Sequence, residues 1–292
     1  MSSFTQTSYN EKTANRQPSL TARQAKLIEK TLSYTTLLAV TALLVLPLYW
    51  MLSTGLKTPE QTFAIPPQWI PNPVQWANFS QVFEEVPFAR FIINTFILVG
   101  VNIIGQLFAV TLVAYGFARL RFPGRSVLFL LMLSTLMIPF EVTLIPNYLL
   151  MRDLKFLDNF NTLIWPGAAN VFGVFLLRQF FQAIPQELEE AAILDGASYW
   201  GRFLYVILPL STNALTALAI LVFLGHYNDL LWPFITMNSL EKRTLPVGLQ
   251  ILNSAYAGSF RPMVLAGSVF ATVPIIVFYI IFQRRIIKGV TM

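Results

Sequence analysis

Long apolar stretches recur along this chain of 292 residues, and short polar segments separate them. A helix needs about 20 largely apolar residues to cross the hydrocarbon core of a bilayer. The pattern therefore predicts six membrane-spanning helices, at residues 34–53, 91–117, 126–150, 159–177, 210–235 and 262–283. Residues 1–32 are polar and mixed in charge, and we expect them to form a segment ahead of a transmembrane domain at 33–292.

The composition supports a membrane protein and excludes a soluble domain. Hydrophobic residues make up 55% of the chain and charged residues 12%, whereas an average soluble domain has about 25% charged residues. The absence of cysteine excludes disulfides, thiolate metal sites and a cysteine nucleophile. The formal charge of +6 comes from short Lys and Arg clusters beside apolar runs. Such clusters are typical of orientation signals at a membrane rather than of nucleic-acid binding.

The distribution of lysine and arginine predicts the orientation in the membrane, because cytoplasmic loops carry an excess of both. Thirteen of the 20 lie before the first span, between spans two and three, between spans four and five, or after the sixth span, and seven lie in the other loops. We therefore expect both termini to be cytoplasmic. Residues 56–90, 151–158 and 237–261 are then expected to face outward.

The loop at residues 183–209 has the sequence AIPQELEEAAILDGASYWGRFLYVILP. Pro185 suits the first turn of a helix, Gly196 can adopt the left-handed conformation that ends it, and Ser198 can cap a second helix. The sequence thus predicts two short helices on the cytoplasmic side. They can rest on the membrane surface, or the adjacent Ala191 and Ala192 can form a narrow face that enters a cleft on another protein.

The stretch EAAILDGASYWGRFLYVILP resembles the EAA motif in the permeases of binding-protein-dependent ABC importers. The residues that match the motif are Glu190, Ala191, Ala192, Gly196, Leu208 and Pro209, with Val206 at an isoleucine position. YGFARLRFPGR, MIPFEVTLIPNYLL, YNDLLWPF and RTLPVGLQ are similar to stretches of maltose and glycerol-3-phosphate permeases. The resemblance implies an all-α, polytopic fold of six transmembrane helices, the type I ABC importer permease fold, with a cytoplasmic coupling helix.

The resemblance also implies how the chain is coupled to ATP. The residues expected to contact the ATPase are Glu190, Ala191, Ala192, Asp195 and Gly196, and Pro209 is expected to hold the turn into the fifth span. The implied partners are a homologous permease subunit, two copies of a cytoplasmic ATPase and an extracytoplasmic solute-binding protein. ATP and Mg are expected in the ATPase, and no cofactor or metal in this chain, because the sequence has no GxxxxGK[ST] loop.

Polar residues inside the predicted spans are candidates for the substrate pathway, because an ionisable group in a membrane is costly and usually functional. The pathway candidates are Glu141, Asn94, Asn228, Asp229 and Trp232. Each also has a structural interpretation. Asn94 and its neighbours Asn102 and Gln106 can hold helices together, His226 can be a packing residue, and Asp229 can lie near the outer interface.

The resemblance favours a sugar, disaccharide or sugar-polyol as the imported solute, with glycerol-3-phosphate or a related phosphodiester as the alternative. An ion-coupled secondary transporter is the competing class, but it is expected to show internal repeats, and no half-chain repeat is visible. A membrane enzyme is disfavoured because neither HExxH nor GxSxG is present. We therefore expect no catalytic site in this chain.

Overall fold

The computed structural model describes residues 20–256, 258 and 260–290, with side chains at 24–256, 258 and 260–283. All regular secondary structure in this described part is helical. The α-helices are Leu20–Gly55 (α1), Pro59–Thr62 (α2), Ala77–Glu85 (α3), Phe88–Arg119 (α4), Arg125–Ser134 (α5), Phe140–Asp153 (α6), Asn161–Ile164 (α7), Val171–Ala183 (α8), Gln186–Leu194 (α9), Tyr199–Arg202 (α10), Leu208–Leu210 (α11), Thr212–Tyr227 (α12), Leu231–Thr236 (α13), Leu245–Tyr256 (α14) and Arg261–Val290 (α15). Short 3-10 turns form at Thr135–Met137 and Leu240–Lys242, and a π-helical turn forms at Phe203–Ile207.

The chain divides into two units, residues 1–50 and residues 51–292. In the first unit, the described residues form most of α1. Its stretch 34–50 has no charged residue, and its leucines, such as Leu37, Leu43 and Leu44, are exposed. An exposed apolar surface of this length is suited to contact with lipid.

Helix α4 is the central element of the second unit. No charged residue lies between Arg90 and Arg119, and the helix packs against α8, α12 and α14. Its side chains enter three separate apolar clusters, through Phe91, Leu98 and Val110. Because α4 runs through all three clusters, it fixes the position of the other helices along its length.

Several predicted spans are broken in the structure. Span 126–150 consists of α5 and α6, which meet at an angle of 99° around Pro139. Pro139 has an extended backbone and precedes α6, and its missing N–H cannot continue a helical ladder. Span 159–177 contains α7 and the start of α8, separated by a non-helical segment that includes Pro166 and Gly167. Span 210–235 is interrupted where α12 ends at Tyr227.

Among the described residues, three helices are long and apolar enough to cross a membrane: α4, residues 24–55 of α1, and residues 261–283 of α15. The count rises to five if each bent pair forms one span, the second pair being Tyr199–Leu210 with α12, bent by 74°. The division into exactly six spans, and the domain bounds 1–32 and 33–292, remain predictions.

Candidate coupling surface and transport pathway

The first helix of the segment 183–209 has the two ends that its sequence predicts. Pro185 precedes α9, and Gly196 follows it with a φ of 81°. The amide of Gly196 donates to the Ile193 carbonyl at 2.9 Å, and the amide of Ala197 donates to the Ala192 carbonyl at 2.8 Å. These two bonds form a Schellman motif, which satisfies carbonyls at the helix end and requires a residue that tolerates positive φ. Gly196 is therefore a structural requirement of this turn.

The second helix begins as predicted and then changes its winding. The Ser198 hydroxyl accepts a hydrogen bond from the Gly201 amide at 3.2 Å, as expected of a cap. The π-helical turn follows α10 directly and leads into α11, which includes Pro209. Phe203 and Ile207 are buried while Trp200 and Leu204 are exposed. The apolar residues of this segment therefore divide between a buried pair and an exposed pair.

The matching residues of the motif form one exposed surface. Glu190, Ala191, Asp195 and Gly196 are exposed, and Ala192 is half-buried. Leu194, which lies between them, is 89% exposed. We call residues 190–196 the coupling surface. Small, acidic and apolar side chains adjoin there without cover from the rest of the described chain.

A buried ion-pair cluster holds α9 to the end of α4. Arg119 Nε lies 2.7 Å from Glu189 Oε1, and Arg202 Nη1 lies 3.9 Å from Glu189 Oε2. The three side chains are 7%, 13% and 9% exposed for Arg119, Arg202 and Glu189. The Arg119 Nε–H makes no well-directed hydrogen bond with the carboxylate, so the attraction is mainly electrostatic, and Arg119 Nη2 donates to the Ile184 carbonyl at 2.6 Å. Sequence reasoning missed this cluster.

A cavity of about 460 Å³ lies where the broken helices meet. Its lining combines polar and apolar side chains and consists of Thr135, Ile138, Phe140, Thr143, Asn147, Leu163, Pro166, Gly167, His226, Asp229 and Trp232. Two of the predicted pathway residues, Asp229 and Trp232, therefore border it. Asn94, Glu141 and Asn228 are not among its lining residues.

A chain of side-chain hydrogen bonds passes beside this cavity. Asn170 Nδ2 donates to Gln106 Oε1 at 2.9 Å, and Gln106 Nε2 lies 2.8 Å from His226 Nε2. Gly167 lies against this chain, since a Cβ there would be 3.1 Å from His226 Cε1 and 3.2 Å from Gln106 Nε2. The Oδ1 of Asn102 is buried nearby without a hydrogen-bond partner among the described atoms. The sequence allows both a pathway role and a structural role for Gln106 and His226; in the structure His226 borders the cavity and Gln106 contacts His226.

The remaining pathway candidates make structural contacts. Asn94 Nδ2 donates to the carbonyls of Glu241 and Arg243, at 2.8 and 3.0 Å, and so holds the loop between α13 and α14 against α4. Asn228 Nδ2 donates to the carbonyl of Leu224 within its own helix. Trp232, although it borders the cavity, is buried and donates from Nε1 to the Thr162 carbonyl at 2.8 Å. Glu141 is exposed in the first turn of α6.

Asp158 connects the loop between α6 and α7 with the loop between α13 and α14. Its Oδ1 accepts hydrogen bonds from the amides of Asn238 and Ser239 at 3.0 and 2.8 Å, its Oδ2 accepts one from the Ser239 hydroxyl, and Lys242 Nζ lies 3.2 Å from Oδ2. Partial burial would raise the pKa of the Asp158 carboxyl, but the hydrogen bonds from Ser239 and Lys242 outweigh it and lower the pKa to about 2. The Asp158 carboxylate thus stays ionised and stabilises the contact between these two loops.

The variant Asp158→Asn is expected to lower the midpoint of thermal unfolding at pH 7, because it weakens the contact between the two loops that Asp158 connects. Asparagine keeps the shape and tolerates the φ of 54° found here, so the variant loses the charge and one acceptor oxygen while the backbone is unchanged. Because the folded-state pKa lies below the unfolded value of about 4, the carboxylate stabilises above pH 4, and the benefit is lost as the pH falls toward 2. Thermal scans should show a gap between wild type and variant at pH 7 that narrows below pH 4. A gap that is the same at every pH would contradict this account.

A family model described as "Binding-protein-dependent transport system inner membrane component" matches residues 24–291. The chain belongs to this family. The match confirms the resemblance drawn from the segment 183–209, and membership makes the chain a transport permease of the inner membrane. The competing class of ion-coupled transporter is therefore not supported.

Individual permeases of this family are similar over most of the chain. The arabinooligosaccharides transport permease AraQ of Halalkalibacterium halodurans is 36% identical over 223 residues, which cover 76% of this chain and 79% of AraQ. The sn-glycerol-3-phosphate permease UgpE of Yersinia enterocolitica is 31% identical, with 85% and 90% covered. The sulfoquinovosyl glycerol permease SmoH of Agrobacterium fabrum is 30% identical, with 84% and 86% covered.

A solved permease structure has the same fold. A chain of a bacterial ABC transporter for import of the acidic polysaccharide alginate superposes with a TM-score of 0.78 at 23% identity, covering 89% of this chain and 97% of that one. The predicted all-α permease fold of type I ABC importers is thereby confirmed.

Proposed function

We propose that this chain forms half of the translocation path of an ATP-driven sugar importer and that the coupling surface, residues 190–196, docks on a separate ATPase subunit. The observation that carries this proposal is that the coupling surface is exposed directly beside a buried ion pair that holds α9 in place. Glu189 ties α9 to α4, while Leu194, one turn further, is 89% exposed. An apolar side chain held outward on a rigidly anchored helix supports docking with a partner protein. Pro209 lies in α11, just before α12, and we propose that it stabilises the turn between the coupling segment and α12.

The rest of the complex follows from the same proposal. A second, homologous permease completes the path, two copies of the ATPase bind ATP and Mg, and an extracytoplasmic binding protein delivers the solute. This chain itself has no enzymatic role and binds no cofactor. The excess of lysine and arginine in one set of loops supports cytoplasmic termini.

Cross-linking tests the docking, because the natural chain has no cysteine and each introduced thiol is unique. A photoactivatable maleimide on Leu194→Cys is expected to capture the ATPase in the assembled complex. The matched control is Ile65→Cys in the first outer loop, where the side chain is 96% exposed, and it should not capture the ATPase. In intact cells or spheroplasts, an impermeant maleimide should label Ile65→Cys but not Leu194→Cys. Capture from the Ile65 position, or labelling of Leu194→Cys from outside, would contradict the proposal.

The lining of the 460 Å³ cavity supports a neutral carbohydrate as solute. Thr143, Asn147 and His226 provide hydrogen-bonding groups, and Asp229 provides a carboxylate, whereas no lysine or arginine with a described side chain borders the cavity. A phosphate is usually bound by arginine or lysine, and a carboxylate would repel it. The names of AraQ and SmoH also agree with sugars or sugar-polyols, although that of UgpE keeps glycerol-3-phosphate as the second candidate. Calorimetry of the cognate binding protein with both solute types distinguishes the two.

The variant Gly167→Val is expected to lower solute uptake about tenfold or more while the complex still assembles. A Cβ at this position would already press on His226 and Gln106, and the two methyl groups of valine would extend into the cavity. Uptake of labelled solute into proteoliposomes measures the effect. The control is Gly225→Ala on α12, where a Cβ meets nothing within 4 Å. Equal uptake by both variants would show that the solute does not pass this cavity.

A further inference from the structure

A basic cavity lies apart from the 460 Å³ cavity and shares no lining residue with it. It has a volume of about 630 Å³ and lies between the end of α4, the start of α5 and the segment that contains α9. Its charged lining residues are four arginines and two glutamates: Arg119, Arg121, Arg125, Arg202, Glu189 and Glu190. Glu189 is already engaged by two of these arginines. The cavity therefore has an excess of positive charge.

The unneutralised positive charge is concentrated at one end of the cavity. Among the described side chains, no carboxylate lies within ion-pair distance of Arg121 or Arg125. Arg125 is oriented by a hydrogen bond from Nη1 to the Leu120 carbonyl at 3.0 Å, and Arg121 is exposed. A pair of guanidinium groups without an acid partner favours an anion with several oxygen acceptors.

A neighbouring groove leads from these arginines to an apolar surface. This groove, of about 500 Å³, is lined by Arg121, Phe122, Gly124, Arg125, Ser126 and Val127. It shares both arginines with the basic cavity and reaches the first turn of α5. The side chains of Val127, Leu128 and Leu131 on α5 are 62%, 51% and 59% exposed. Positive charge thus adjoins an apolar face on a helix of a membrane protein.

We propose that the basic cavity binds the phosphate of an anionic phospholipid, whose acyl chains lie along the exposed face of α5. Basic pockets between membrane helices at the cytoplasmic side are suited to anionic headgroups. The apolar face beside the arginines favours a lipid over a free phosphate ion, which would need no such surface. The assignment of this lipid to the cytoplasmic leaflet rests on the orientation given in the proposed function. The chemistry by which the arginines bind a phosphate does not depend on that orientation. Because Gln186 and Glu190 also border the cavity, a bound headgroup would lie against the coupling helix.

The test compares lipid binding by the purified complex and by variants. In nanodiscs of phosphatidylcholine with added phosphatidylglycerol, native mass spectrometry of the released complex should detect retained phosphatidylglycerol. The double variant Arg121→Gln, Arg125→Gln should bind it roughly thirtyfold more weakly, since each arginine near a membrane surface accounts for about fivefold. The matched control Arg152→Gln changes an exposed arginine of the outer side and should bind as wild type.

Each outcome has a separate meaning. Weaker phosphatidylglycerol binding in the double variant but not in Arg152→Gln supports the site. Equal binding by all three proteins overturns it. If calorimetry shows that the complex binds inorganic phosphate while no phosphatidylglycerol is retained, the cavity binds a soluble anion. That result would overturn the proposal of a lipid. Loss of the ATPase from the double variant with unchanged lipid binding would assign the arginines to the ATPase interface.

A single variant guards against misfolding. Arg121→Gln alters an exposed side chain and should retain assembly, with binding about fivefold weaker. Lipid binding is measured without transport, so its loss does not depend on whether the solute is a sugar or on whether the coupling surface docks. A complex that transports normally and shows no preference for phosphatidylglycerol would overturn this inference while leaving the proposed function intact.

Discussion

Replacement of Glu189 by alanine is expected to abolish coupled solute uptake while the membrane helices remain folded. The variant leaves Arg119 and Arg202 together, with side chains only 7% and 13% exposed and no carboxylate between them. Removal of one member of a buried ion pair typically costs about 3–5 kcal/mol. Because the lost ion pair joins α9 to α4, we expect its loss to detach α9 from α4 rather than to unfold the apolar core. About 3 kcal/mol lowers the equilibrium constant for packing of α9 against α4 by roughly a hundredfold.

The measurements are uptake into proteoliposomes and ATPase activity stimulated by solute-loaded binding protein, and both should fall at least about tenfold. The matched control is Glu187→Ala, which removes an exposed carboxylate from the first turn of the same helix. It should change either activity less than about twofold, since only a weak interaction with the helix dipole is lost. Similar losses in both variants would show that total acidic charge, rather than the buried pair, is responsible.

A double-mutant cycle separates the ion pair from other effects. Arg119→Met and Glu189→Met should each impair coupling, whereas the double variant should be less impaired than the sum of the single changes predicts. A buried ion pair can often be replaced by apolar residues of similar volume at little cost. Strict additivity would indicate that the two side chains act independently, and the positioning role of Glu189 would then be rejected.

The local structure of the coupling segment could be predicted because its signals are local. A left-handed turn needs Gly196, and a cap needs the hydroxyl of Ser198, whatever the surroundings. The anchoring role of Glu189 could not be predicted in the same way. Three glutamates lie within four positions at the start of α9, and only the tertiary position of Arg119, 70 residues earlier, distinguishes one of them.

The breaks in the membrane helices show a second limit of the sequence pattern. Hydropathy measures the apolar length of a segment, and residues 126–150 are apolar enough to be one span. Pro139 was visible, but the bend of 99° there depends on what α5 and α6 pack against. At residues 159–177, the segment between α7 and α8 admits polar groups of other helices, such as His226 beside Gly167. Such contacts are set by tertiary packing, which periodicity does not contain.

The pathway candidates illustrate the same point on a single helix. Asn94 and Gln106 both lie on α4 and both are buried, and their spacing suggests one face. Asn94 donates a hydrogen bond to the loop between α13 and α14, whereas Gln106 forms hydrogen bonds with Asn170 and His226 beside the cavity. The difference comes from the neighbours at each level of α4, namely the loop before α14 and the helices α8 and α12. The polarity of the positions was predictable, but their roles were not.

Replacement of Gly248 by alanine is expected to destabilise the permease, although alanine usually stabilises a helix. In the interior of α14, exchange of glycine for alanine gains up to about 1 kcal/mol in helix propensity. A Cβ at Gly248, however, would lie 2.1 Å from Cδ2 and 2.5 Å from Cε2 of Phe91, whose ring is fully buried. Overpacking typically costs about 1–3 kcal/mol, and so severe an overlap with an immobile ring favours the upper end. The clash is therefore expected to outweigh the propensity.

Thermal unfolding of the purified complex should show a lower midpoint for Gly248→Ala than for wild type. Gly105→Ala is the matched control, since it lies inside α4 with nothing within 4 Å of a Cβ, and its midpoint should be unchanged or higher. Adding Phe91→Leu to Gly248→Ala should recover stability relative to the sum of the single changes, because the smaller side chain removes the overlap while remaining apolar. If Gly248→Ala is as stable as Gly105→Ala, then α14 moves away from α4 at no cost, and the close approach of these helices does not require glycine.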